Sequence, residues 1–170
     1  MTSKTEGAVS LLNAAAAIWA FVLAFVILAD VLGRIVGYSV QGTVELVANS
    51  IVAIVFLQFP LTIVRGSFLR STVIYDAVSD RGRQIIDLLS CLLGLGIFVA
   101  IAWGGWADMI TSFRIGEFEG EGALRVPVYP TRAIIFVMSV LSVLCYLQLI
   151  VRLLGGARLS DFAKPHQQEV

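Results

Sequence analysis

Four stretches of this chain run for the width of a lipid bilayer without one charged residue. They extend from Gly7 to Ala29, Leu46 to Val64, Leu88 to Ala107 and Ala133 to Val151, and charges bound each of them. A helix rises about 1.5 Å per residue, so about 20 residues cross a hydrocarbon core of ~30 Å. Within that core the backbone finds no water, so each stretch has to satisfy its own hydrogen bonds as a helix. Composition agrees: 58% of the 170 residues are hydrophobic, 14% are charged, and the mean hydropathy is +0.91. A soluble domain carries nearer about 25% charged residues to solvate its surface. The chain therefore reads as an all-α integral membrane protein with four transmembrane helices. It forms a single membrane domain, residues 1–170, with spans at about 8–33, 44–64, 85–107 and 131–154 and a polar tail at 155–170.

Lys4 precedes the first span in the manner of a secretion signal. The apolar run that follows is longer than the roughly 7–15 residues of a signal core, so it is expected to stay as a helix. The basic residues set the orientation. Lys4, Arg65, Arg70, Arg81, Arg83, Arg152, Arg158 and Lys164 fall on one side, and Arg34, Arg114, Arg125 and Arg132 on the other. Eight against four places both termini in the cytoplasm.

The second connection holds Leu69, Val73 and Ala77, with Ile74 and Val78, at helical spacing among Arg70, Asp76 and Asp80. This pattern predicts a short amphipathic helix in the membrane interface between the second and third spans. Asp80-Arg81-Gly82 then reads as a turn before the third span. The third connection, Asp108 to Thr131, carries an acidic Gly-rich run over Gly116–Gly122, expected to be a solvated loop. Pro127 and Pro130 predict extended backbone before the fourth helix. Trp103, Trp106 and Tyr129 lie near this boundary, at the headgroup level that amphipathic rings favour.

Catalytic constellations are missing from the sequence. The one histidine, His166, sits in the polar tail, and there is no phosphate loop, zinc-protease pattern or nucleophile elbow. Cys91 and Cys145 lie in different apolar runs and read as buried small residues. The net charge is zero with no basic cluster, so nucleic acid is not an expected partner, and no cofactor or metal is implied. Deep polar residues are few and mostly neutral: Asn49, Gln58 and Gln148. Asp30 and Arg34, four apart toward the end of the first span, are placed to pair on one helix face. Glu45 opens the second span. A self-sufficient ion-coupled carrier would show a deep carboxylate or paired broken helices. Pro60 has no counterpart in the fourth span, and neither signal is present. Small residues four apart do recur, at Gly33/Gly37, Ser90/Gly94 and Ala100/Gly104, and such spacing lets helices approach closely.

From about Leu11 to Leu154 the chain resembles the small membrane subunit (DctQ-like) of tripartite ATP-independent periplasmic (TRAP) transporters. The resemblance rests on Arg34 closing the first helix, Glu45 opening the second, and a proline-bearing helix ending in Arg65-Gly66-Ser67-Phe68-Leu69-Arg70. A third helix with Trp103 and Trp106 then leads to Leu124-Arg125-Val126-Pro127-Val128-Tyr129-Pro130. Members often have a histidine where this chain has Phe68. The resemblance implies an auxiliary scaffold in the bacterial inner membrane, without enzyme activity. Its implied partners are the large (M-type) permease subunit, a periplasmic substrate-binding protein and membrane lipids. The whole system would take up organic acids such as carboxylates with sodium. Asp30, Arg34, Glu45, Arg65, Arg70, Trp103 and Trp106 are the expected contacts to partner or lipid. Two other classes are weighed beside it: a small membrane-bound enzyme or redox subunit, and an autonomous homodimeric exporter using Glu45 as its coupling carboxylate.

Overall fold

The computed structural model describes residues 3–38, 42–64, 79–120 and 125–155. Four helices dominate: α1 (Ser3–Ile35), α2 (Thr43–Val64), α3 (Asp80–Ile115) and α4 (Tyr129–Leu154). All four are long and apolar enough to cross a membrane, as the charge-free stretches predict. The interfacial helix expected in the second connection falls on residues 65–78, outside the described residues.

Two boundaries differ from the sequence expectation. Asp80-Arg81-Gly82 is the first turn of α3, not a turn before it. Ser79 is the N-cap in extended conformation, and the Arg83 amide closes the first turn on the Ser79 carbonyl at 2.9 Å. A glycine in that turn costs about 1 kcal/mol relative to alanine, which one turn of a 36-residue helix tolerates. At its other end α3 runs past Asp108 to Ile115, eating into what was expected to be loop. Only Gly116, in the left-handed conformation (φ 59°), stops it.

The described part of the acidic connection, 116–120 and 125–128, is folded rather than merely solvated. Two short antiparallel strands, β1 (Phe118–Glu119) and β2 (Val126–Pro127), pair Phe118 with Pro127 and Glu119 with Val126. The strand alternation buries Val126 and Val128 and leaves Pro127 outside. Pro127 thus sits in extended backbone as predicted. Val128, however, is already αR, and α4 starts at Tyr129, with Pro130 in the first turn where an amide hydrogen has no helical partner.

The helices pack side by side in the order α1–α2–α4–α3. α2 and α4 form the middle, and α1 and α3 the two edges, which share no comparable interface. One core cluster joins Ala16 and Leu23 of α1 to Ile54 and Leu57 of α2 and Met138 of α4. The other joins Ile63 of α2 to Cys91 and Phe98 of α3 and Cys145, Tyr146 and Leu149 of α4. Both thiols are free and buried in the second cluster's neighbourhood, serving as small apolar side chains.

Edge helices bury only a narrow seam. In α1 the buried side chains are Val9, Ala16, Leu23 and Asp30, one every seven residues. In α3, Cys91, Phe98 and Ser112 fall on the same seven-residue register. A repeat of seven is the signature of helices packed nearly parallel along one stripe. The seams are lined by buried small residues, which let helices approach closely: Ala16 in α1, Ser50 and Ala53 in α2, Ser139 and Ser142 in α4.

The three small-residue pairs have three different fates. Gly33 and Gly37 cap α1 and do not join helices: the Tyr38 amide bonds the Gly33 carbonyl at 2.8 Å, Gly37 takes φ 86°, and a side chain on Gly33 would strike the Tyr38 carbonyl. Gly94 does serve packing, because the Tyr146 ring occupies the space its side chain would fill. Ala100 and Gly104 face outward, and nothing lies near Gly104.

Candidate interface with a membrane partner

Four antiparallel spans give the molecule two ends. One, the hairpin face, carries the end of α1, the start of α2 and the β1–β2 strands; the other, the termini face, carries the start of α1 and the end of α4.

At the hairpin face, the Arg34 side chain donates to Asp30 Oδ2 at 2.9 Å, the i to i+4 ion pair expected from their spacing. Asp30 is 5% exposed, whereas the Arg34 side chain is 56% exposed. Burial of the carboxylate on the seam explains the pairing: an unpaired charge there would be costly. Glu45 lies in the first turn of α2, where its carboxylate suits the helix dipole. It is not brought to Asp30, Arg34 or the tryptophans by any hydrogen bond or ion pair found among the described residues. Arg65 and Arg70 lie outside the described residues.

The two tryptophans separate. Trp106 leans on Phe136 of α4, ring centroids 5.1 Å apart. Trp103 is 86% exposed and touches little of its own chain. Around it α3 presents Leu89, Leu93 and Ile97, with Gly96, Ala100 and Gly104 as low ground between them. In their most apolar stretches α1 and α3 have 17% of residues buried, against 44% in α2 and 33% in α4. An edge helix of this kind meets either lipid tails or another apolar helix.

Sequence reasoning missed the polar network of the hairpin face. Arg132, in the first turn of α4, bonds the Glu117 carboxylate at 2.8 Å and approaches Asp108 of α3 at 3.7 Å. The guanidinium beside Glu117 holds that carboxyl below the usual carboxylate range. The Val128 amide donates to the Glu117 carbonyl at 3.0 Å, and Arg125 lies over the Phe118 ring at 4.5 Å. Asn49 donates to Glu119 at 2.8 Å and to its own helix at the Glu45 carbonyl at 3.1 Å. Asn49 is thus partnered by the hairpin and is not a lone polar group in the span. The charges were visible in the sequence, but no local spacing joins residues 49 and 119 or 117 and 132.

Among the described residues no group of three or more histidine, cysteine, aspartate or glutamate side chains is placed to hold a metal ion. Among the described residues the buried side chains between helices are mostly apolar, with serines, Thr43 and two aspartates, Asp30 toward one end of α1 and Asp87 toward the start of α3. What the arrangement offers chemically is surface: two apolar edges and a stitched polar end.

Residues 9–156 match the family model described as tripartite ATP-independent periplasmic transporters, DctQ component. No individually curated protein matches the chain. With all four spans inside the match, the chain belongs to the DctQ family, the small membrane component of TRAP transporters, a multi-pass protein of the inner membrane and a transporter component, not an enzyme.

Proposed function

We propose that this subunit transports nothing itself and braces the large permease subunit of its transporter. The permease would carry organic acids such as carboxylates, delivered by a periplasmic binding protein and coupled to sodium. The supporting observation is the open row α1–α2–α4–α3. A chain that conducted a solute alone would close its helices around a polar path; this one places its small and apolar side chains together and turns two edges outward.

On this reading α3 is the docking edge. Trp103 is the anchor, an aromatic side chain with large apolar area and almost no contact within the chain. Asp30 and Trp106 are partly engaged at home, by Arg34 and Phe136, so they shape the surface more than they reach a partner. Arg34 and Glu45 lie near the headgroup level, where they meet lipid or the rim of the partner. The excess of basic residues toward the termini favours both termini in the cytoplasm, with the hairpin face periplasmic.

A photoreactive amino acid at position 103, in cells expressing the complete transporter, tests the docking edge. An adduct with one large, multi-span polypeptide is expected there and not at Phe25 on α1. Adducts with lipid alone at position 103 would refute docking through α3.

A further inference from the structure

We infer that the β1–β2 hairpin is a strap that ties α2 to the α3–α4 pair at the hairpin face. Three observations carry this. First, α2 and α3 are not packed neighbours; α4 stands between them. Their side chains do meet around Phe59 and Phe98, 5.2 Å between ring centroids, in the cluster that also holds Ile63 and Cys91. That contact lies 16 residues into α2 from Thr43 and 17 residues back along α3 from Ile115, far from the hairpin face.

Second, the hairpin has a firm base on α3 and α4. Gly116 turns the chain out of α3, and the Glu117 amide bonds back to the Ser112 carbonyl at 3.0 Å. Arg132 grips Glu117 from α4, the Val128 amide bonds the Glu117 carbonyl, and buried Val126 and Val128 seat the second strand. Loops that only solvate a connection do not bury alternate side chains or fill their backbone bonds in this way.

Third, the free end of that base reaches α2. Glu119 accepts from Asn49 across 70 residues of sequence. The Asn49 amide nitrogen has two hydrogens, and both are committed, one to the Glu45 carbonyl and one to Glu119. The first bond orients the amide along its helix, so the second is presented to the hairpin in a fixed direction. A carboxylate acceptor makes this the stronger kind of hydrogen bond. Together these links make the end of α2 move with α3 and α4, although α2 shares no extended interface with α3. The inference does not depend on what the transporter carries.

Spin labels on the full chain in lipid nanodiscs test it. Val44→Cys and Thr111→Cys put exposed labels near the hairpin-face ends of α2 and α3. Val55→Cys with Leu93→Cys reports the same two helices nearer mid-depth. The native thiols, Cys91 and Cys145, are buried and stay unlabelled. Glu119→Ala and Asn49→Ala are each expected to shift and broaden the first distance distribution and leave the second unchanged. Glu119→Gln, which keeps an acceptor, is expected to stay close to wild type. An unchanged Val44–Thr111 distribution in both alanine variants would overturn the strap. A shift in both label pairs would also overturn it, because the contact would then hold the whole packing and not one end.

Discussion

Gly94 offers the sharpest test of the helix packing. The Tyr146 ring sits where a side chain on Gly94 would go, and Tyr146 cannot simply retreat, since it is buried in a cluster with Phe98, Cys145 and Leu149. Gly94→Val therefore forces extra atoms into a filled space. Overpacking of this kind costs about 1–3 kcal/mol. Valine recovers roughly 0.5 kcal/mol through better helix propensity than glycine. The net loss is then about 0.5–2.5 kcal/mol, or about 1–10 °C in Tm at ~2–4 °C per kcal/mol for a chain of this size. Gly104→Val is the matched control, because nothing lies near Gly104. It keeps the propensity gain without the clash, so its Tm should equal or exceed wild type. Thermal unfolding in detergent, followed by intrinsic tryptophan fluorescence, reads both variants. Trimming the obstacle should help: Tyr146→Phe removes the hydroxyl nearest Gly94, so the double variant should lose less than the two single losses summed. Equal Tm values for Gly94→Val and Gly104→Val would refute the α3–α4 packing described above.

Three further outcomes follow from the same geometry. Ser142 is fully buried with no hydrogen-bond partner for its hydroxyl among the described residues, so Ser142→Ala should leave Tm unchanged or raise it by the equivalent of up to about 1 kcal/mol. Ser142→Leu should lower it, by forcing the seam apart. Glu117 is held below the ordinary carboxylate range by Arg132, so its stabilising contribution is full above the unfolded value and is lost as pH falls through the folded one. Melting temperatures across that acid range should fall more steeply for wild type than for Glu117→Gln, which lacks the titrating group. Trp103→Ala should leave the isolated chain's Tm within a degree or so, as an exposed substitution away from packing does, while reducing recovery of the large permease in pull-downs from detergent-solubilised membranes.

Helix number and approximate span positions were legible because lipid imposes one rule on the whole stretch: no charge for about 20 residues. Which side of each helix faces its neighbours was not. In water an apolar stripe marks the core, but a span such as α1 is apolar all round, so Phe21 and Phe25 on the outside look no different from Leu23 on the seam. Small residues are the remaining signal, and glycine pairs are a poor guide to it. Gly33 and Gly37 were needed for a cap, whereas Ala16, Ala53 and Ser139 lined the contacts. Boundaries moved for related reasons. Past Asp108, Met109, Ile110 and Phe113 continue a helix outside the charge-free stretch, since nothing but Gly116 ends it. Among the expected contact residues, the Asp30–Arg34 pair was readable because its partners lie on one helix turn. Asn49–Glu119 and Glu117–Arg132 were not, because tertiary packing alone brings them together.

A reconstitution experiment tests the central proposal, a subunit that supports transport without performing it. Proteoliposomes would hold this chain alone, the large permease alone, or both, each with the binding protein, a labelled carboxylate and an imposed sodium gradient. Uptake is expected only when both membrane subunits are present, and it should vanish when either is left out. Sustained uptake by this chain alone, or full activity of the permease without it, would contradict the proposal.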